Sequence, residues 1–125
     1  MKTLLDTHTL LWYLDEDARL GGEARRVVES GAANLSDVSL LEISIKVSTG
    51  KLIVDPRLHT IVRTMGFERT GIDDRYLARL ERLPRLHGDP FDRFLIAQAL
   101  TDDIPVLTAD RAFAQYGVKV IDAGE

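Results

Sequence analysis

The sequence has no cysteine among its 125 residues. Disulfides, thiolate metal sites and cysteine nucleophiles are therefore excluded, and the composition suits a reducing cytoplasm. It has no run of about 18 apolar residues, so no membrane-spanning helix is expected. It shows no secretion signal either, because Asp6 interrupts the short apolar stretch after Met1-Lys2 before an h-region can form. Repeats, low-complexity tracts and linkers are also missing. Nor is there an excess of positive charge. Sixteen Lys and Arg against twenty Asp and Glu leave a formal net charge of −4, which argues against a protein that coats nucleic acid by bulk charge. What is present is apolar content of 45%, enough for a core and too much for a disordered chain. The length suggests one domain spanning residues 1–125.

Periodicity and punctuation divide the chain into alternating strands and helices. Lys2 to Asp6 (KTLLD) reads as a buried strand and Thr7 to Leu14 as a helix capped by Asp6 or Thr7. A polar connector, Asp15 to Gly22, leads to a helix over Glu23 to Ser30 that Gly31 stops. Ala33 to Ser36 reads as a second strand. The next helix, capped by Ser36 or Asp37, runs to about Thr49 with Val38, Leu41 and Ile45 on one face. Asp55-Pro56 opens a further helix with Leu58, Ile61, Val62 and Met65 at helical spacing. Phe67 to Ile72 alternates weakly as a third strand, and Asp73 caps a helix to Leu83 with Tyr76, Leu77 and Leu80 inward. After a Pro- and Gly-containing loop, Asp89-Pro90-Phe91-Asp92 has the form of a helix start: N-cap, N1, then an acid at N3 beside the positive helix end. A buried helix through Leu100 precedes a strand over Ile104 to Thr108. A short helix from Asp110 to Tyr116, a last strand over Val118 to Ile121 and a loose tail, Asp122 to Glu125, complete the chain. This order implies an α/β fold, a mostly parallel sheet with helices on both faces.

Ligands of such sheets bind beyond the C-terminal strand ends, where the strand order reverses. Asp6 and Asp110 follow two predicted strands, and Asp92 begins the helix that precedes the second of them. Glu42 lies between Leu41 and Ile43 at the border of an apolar helix face, a costly position for a carboxylate without a partner. Gathered together, these acids would repel one another unless protons or a hard cation held them. A cation such as Mg²⁺ turns a carboxylate cluster into a device that acidifies water and neutralises a phosphate. Each acid also has a plainer role: Asp6, Asp89 and Asp110 as helix caps, Glu42 in an i, i+4 pair with Lys46, and Asp92 against the helix dipole. Thr7 and Thr108 suit either turns or hydroxyl support for a carboxylate. His8 is a candidate base or a structural histidine, and Trp12 and Tyr13 suit core or subunit contact.

Four segments in order, LLDTHTLLWYL from Leu4, SLLEISIKVSTGKL from Ser39, HGDPFDRFLIAQAL from His87 and VLTADRAFAQYGVKVI from Val106, resemble the PIN-domain ribonucleases, and among them the VapC toxins of toxin–antitoxin pairs. The resemblance covers essentially the whole chain. It implies an α/β/α sandwich and an acidic site binding Mg²⁺, with Mn²⁺ as an alternative. The family's acids match Asp6, Glu42, Asp92 (with Asp89 as its rival) and Asp110. Asp6 and Asp92 match metal ligands, while Glu42 and Asp110 bind metal directly, through water, or orient water. The resemblance further implies an RNA substrate, an antitoxin partner and a homodimer. On the residues themselves, Arg75, Arg79 and Arg82 form a helical stripe continued by Arg85, a candidate phosphate track, and Arg93 can pair with a neighbouring acid. A nuclease for RNA maturation outside any toxin pair is the nearest alternative. A Mg²⁺-binding receiver module is another, but Asp6 stands alone and Leu107 is followed by Thr-Ala-Asp rather than a lysine. Presence of all four acids argues against an inactive binding module.

Overall fold

A computed structural model describes residues 2–125; Met1, the first residue of the expected domain, lies outside them. Five parallel strands, β1 (Thr3–Leu5), β2 (Ala33–Ser36), β3 (Glu68–Thr70), β4 (Val106–Thr108) and β5 (Val120–Asp122), form one sheet in the order β3-β2-β1-β4-β5. The order reverses between β1 and β4, so the C-terminal ends of these two neighbours define the crevice where such sheets bind ligands.

Side chains alternate across the strands and divide the interior into two cores. Leu5, Leu35 and Leu107 pack on one face with Leu10 of α1 (Thr7–Leu14), Ala24 and Val28 of α2 (Gly22–Glu29), Leu40 and Ile43 of α3 (Asp37–Ser48), and Leu58 and Val62 of α4 (Leu58–Met65). Leu4 and Val106 pack on the other with Leu95, Ile96 and Ala99 of α6 (Pro90–Asp102) and with Phe113 of a 3-10 helix, Arg111–Tyr116. A third group, Val38, Tyr76 and Phe94, joins α3, α5 (Asp74–Arg82) and α6. The expected α/β/α sandwich is thus the architecture observed. No helix of the described residues is long and apolar enough to cross a membrane.

Several boundaries and faces differ from expectation. On α3, Val38 is buried but Leu41 and Ile45 are 50% and 41% exposed; the inward face carries Leu40, Ile43, Ser39 and Glu42 instead. Leu77 likewise points outward while Tyr76 turns in. Asp55-Pro56 forms a turn rather than a helix start, because the Asp55 side chain accepts the Arg57 N–H and its carbonyl the Leu58 N–H. The helix after Asp110 is 3-10, and the last strand begins at Val120, two residues late. The tail is not loose. Ala123 is fully buried, its N–H donates to the Thr108 carbonyl, and its own carbonyl accepts from Gly21. Glu125 accepts from Glu23. Gly21 is required there, since a Cβ would lie 2.0 Å from the Glu125 carbonyl carbon. Trp12 and Tyr13 pack half-buried against the first core, under the guanidinium groups of Arg19 and Arg25.

Candidate active site

Asp6 leaves the end of β1 and occupies the N-cap position of α1, yet its side chain makes no capping hydrogen bond. Its carboxylate points into the protein instead and is 4% exposed. Oδ2 accepts from the Thr108 hydroxyl at 2.8 Å, and Oδ1 is buried without a partner. Burial pushes its pKa up, against the Thr108 hydrogen bond, which favours the charged form. Thr108 sits at the end of β4 on the adjacent strand and also accepts the Asp110 N–H at 3.0 Å, so one hydroxyl ties two of the acids together. The Thr7 hydroxyl donates to Ser39 rather than to a carboxylate.

Glu42 reaches the same region from α3. It pairs with Lys46 at 2.6 Å, as the i, i+4 spacing suggests, but the pair is not a surface one. Glu42 is 1% exposed, and its Oε1 has no partner. Two of the three buried side-chain atoms without a partner among the described residues are thus carboxylate oxygens of Asp6 and Glu42; the third is Oε1 of Gln98, further along α6. Lys46 is kept charged chiefly by Glu42, with Asp89 and Asp92 adding to the effect.

The loop before α6 completes the cluster. Asp89 caps the helix, its Oδ1 accepting from Phe91 and Asp92 N–H groups at 2.8 and 3.1 Å. Asp92, at N3, is left free of that duty, and its pKa is pushed up to about 8. Burial is the leading cause, followed by the negative charges of Asp6, Asp89, Glu42 and Asp110. The other four acids thus lie close enough to act on the Asp92 carboxyl. Asp110 caps the 3-10 helix through Oδ1 and turns Oδ2 toward the same space.

Sequence reasoning did not single out His87. Its Nε2 lies 3.4 Å from both Asp92 Oδ2 and Asp110 Oδ2, and these three residues form the one group of potential metal-holding side chains found among the described residues. Nδ1 accepts the Asp89 N–H at 3.0 Å, so a neutral ring carries its proton on Nε2. That tautomer makes His87 a hydrogen-bond donor to Asp110, with Asp92 at the same distance, rather than a metal ligand. The signal in the sequence was its place two residues before a capping Asp. Tyr116 holds the loop: its hydroxyl oxygen accepts from the Leu86 and His87 N–H groups, with Arg93 Nη1 beside it. Arg93 also donates to the Pro84 carbonyl and, among the described residues, does not make the pairing with a neighbouring acid that its position allowed. Of the arginine stripe, Arg75 is engaged with Asp73 at its own helix start, and Arg85 lines a pocket with His87 and Arg93. His8 is exposed on the solvent side of α1.

The family profile of the PIN domain matches residues 3–119. The chain belongs to the PIN-domain family. Comparison with the curated proteins gives no match. Among solved structures, this PIN domain is similar to DNA-bound VapBC of Salmonella typhimurium, with TM-score 0.71 and 17% identity over 98% of each chain. It is also similar to FitAcB of Neisseria gonorrhoeae, with TM-score 0.70 and 18% identity over 97% of each chain. VapBC2 of Rickettsia felis, bound to a promoter DNA fragment, gives TM-score 0.74 at 11% identity over 97% of this chain and 98% of the other. At these identities the likeness is one of fold, the fold found in VapBC-type complexes.

Proposed function

We propose that this PIN domain, a single domain over the whole chain, is a divalent-metal-dependent endoribonuclease and the toxin of a toxin–antitoxin pair. One observation carries the reading: Asp6 Oδ1 and Glu42 Oε1 are buried with no partner, beside an Asp92 carboxyl whose pKa is raised by burial and then by its acidic neighbours. A cluster so arranged in an apoprotein is poised for a cation. The donor set fits the group, because carboxylate oxygens are the ligands of hard ions such as Mg²⁺ and Mn²⁺. Asp6 and Asp92 would hold the metal, and Glu42 and Asp110 would bind it or orient water. Such a cation supplies neutralisation of a phosphodiester and acidification of water.

The chain's own residues do the positioning. Thr108 fixes the Asp6 and Asp110 sides of the crevice. Lys46 offsets the charge of Glu42 and holds one of its oxygens, leaving the other buried without a partner. Asp89 offers its capping oxygen to the helix, so Asp92 keeps both of its own for the crevice. The His87 Nε2–H donates to Asp110 and lies equally close to Asp92, so the ring sits between the two acids.

The toxin reading is supported by the fold shared with VapBC and FitAcB, and an antitoxin partner is part of that proposal. A homodimer is part of the same reading, and the outward Leu41, Ile45 and Val47 of α3 offer apolar surface for a second chain. The protein purified without any partner should cleave RNA with Mg²⁺ or Mn²⁺ and stop with EDTA. Asp6→Asn and Asp92→Asn should each reduce cleavage by about a hundredfold or more with an unchanged circular-dichroism spectrum. Both variants cutting as fast as the parent would end the assignment of the site. Expression in cells should arrest growth, and Asp6→Asn should relieve the arrest.

A further inference from the structure

An acidic protein that works on RNA must meet the strand's phosphates with positive charge somewhere near its acids. On α5 Arg75 is paired with Asp73, which leaves Arg79 and Arg82 of the stripe, and on α6 Arg93 is committed to Pro84 and Tyr116. A pocket of about 310 Å³ lies at the other side of the cluster, along α1 and α3. Thr7, His8, Glu42, Lys46 and Lys51 are among its lining residues. Glu42 is shared between this pocket and the acid cluster, so the two adjoin. The acid is already neutralised by Lys46, whose ammonium has three protons and gives one to Glu42. Among the described residues, no acid is within ion-pair distance of Lys51 or His8. In a chain of net charge −4, the pocket therefore holds uncompensated donors beside the site that would break a phosphodiester.

We propose that the pocket lined by His8, Lys46 and Lys51 is a subsite for a backbone phosphate of the RNA strand, next to the phosphodiester held at the acids. The inference rests on the ribonuclease reading. Lys51 supplies the mobile charge, Lys46 a donor fixed in place by Glu42, and His8 a ring N–H from the first turn of α1. Glu42 thus has a second effect: it holds Lys46 at the boundary between the acidic crevice and the cationic pocket. A strand lying across that boundary presents one phosphate to each.

The test measures binding, not turnover. Anisotropy of a short labelled single-stranded RNA is recorded in Ca²⁺ across a range of salt, and strand integrity is checked afterwards on a gel. Lys51→Gln should weaken binding about three- to tenfold at low salt and flatten the slope of log K against log salt by about 0.7, one single-strand phosphate contact. Lys51→Arg should restore both. Lys119→Gln removes the same charge at the opposite, N-terminal edge of the sheet and should change the slope little. A parent that binds RNA while Lys51→Gln matches it in affinity and slope overturns the subsite alone. A parent that binds no RNA overturns the ribonuclease reading with it. A nucleoside monophosphate that displaces RNA at micromolar concentration, more weakly from Lys51→Gln, reassigns the pocket to free nucleotides and also overturns the proposal.

Discussion

Replacing Asp92 by Asn should make the metal-free protein more stable at high pH while removing its activity. The Asp92 carboxyl rises from an ordinary 3.8 to about 8 in the folded protein. An unfolded chain gives up that proton near pH 4, so between about pH 4 and pH 8 the folded state binds the extra proton. Stability therefore falls as pH rises through this window, and the loss is complete above it. At about 1.4 kcal/mol per pH unit, the full penalty is on the order of 5 kcal/mol, an upper bound because water and side-chain movement relieve part of it. Asn is close to the same shape and carries no charge. With EDTA present at about pH 9, Asp92→Asn should be more stable by roughly 2–4 kcal/mol, a rise in Tm on the order of 10 °C. Near pH 4 the two proteins should melt within a few degrees of each other. Mg²⁺ should raise the parent's Tm and the variant's far less, since the ion offsets a repulsion that the variant no longer has. The measurement is a thermal melt followed by circular dichroism. A variant melting at or below the parent at high pH in EDTA would refute the view that repulsion at Asp92 is stored in the fold.

Two further changes probe the supports of the cluster. Thr108→Val removes the hydroxyl that donates to Asp6 and accepts from Asp110, leaving a buried Asp6 oxygen and a half-buried Asp110 N–H without that partner; urea denaturation should show a loss of about 2 kcal/mol, and Thr108→Ser should lose much less. Tyr116→Phe takes the shared acceptor from the Leu86 and His87 N–H groups at a half-exposed edge. Stability should move by only about 1 kcal/mol, whereas cleavage should fall roughly tenfold and the ¹⁵N spectrum of His87 should show loss of its single tautomer. An unchanged imidazole spectrum would show that the loop does not depend on Tyr116.

Local chemistry carried far along this chain. Ser36, Asp73, Asp89 and Asp110 were legible as caps, and all four accept a backbone N–H in that role. Strand and helix order followed from periodicity, and the switch point between β1 and β4 put the Asp6 and Asp110 ends side by side. Facing was harder. Leu41 and Ile45 share the helical spacing that marks a buried stripe, yet α3 turns Glu42 inward in their place. The tail looked loose because four residues carry no pattern, but the partners that bind Ala123 and Glu125, namely Thr108, Gly21 and Glu23, lie on other elements far from it in the chain.

Composition, periodicity and capping are properties of near neighbours, so the sequence by itself determined the element order, the fold class and which acids stood at element ends. Whether an acid caps a helix or faces a crevice depends on what lies opposite it. Only the tertiary structure decided that Asp6 forgoes its cap for Thr108, that Glu42 is buried with one oxygen free, and that His87 reaches Asp92 and Asp110. Burial and charge act through space over a few ångströms, and no spacing along the chain encodes that distance.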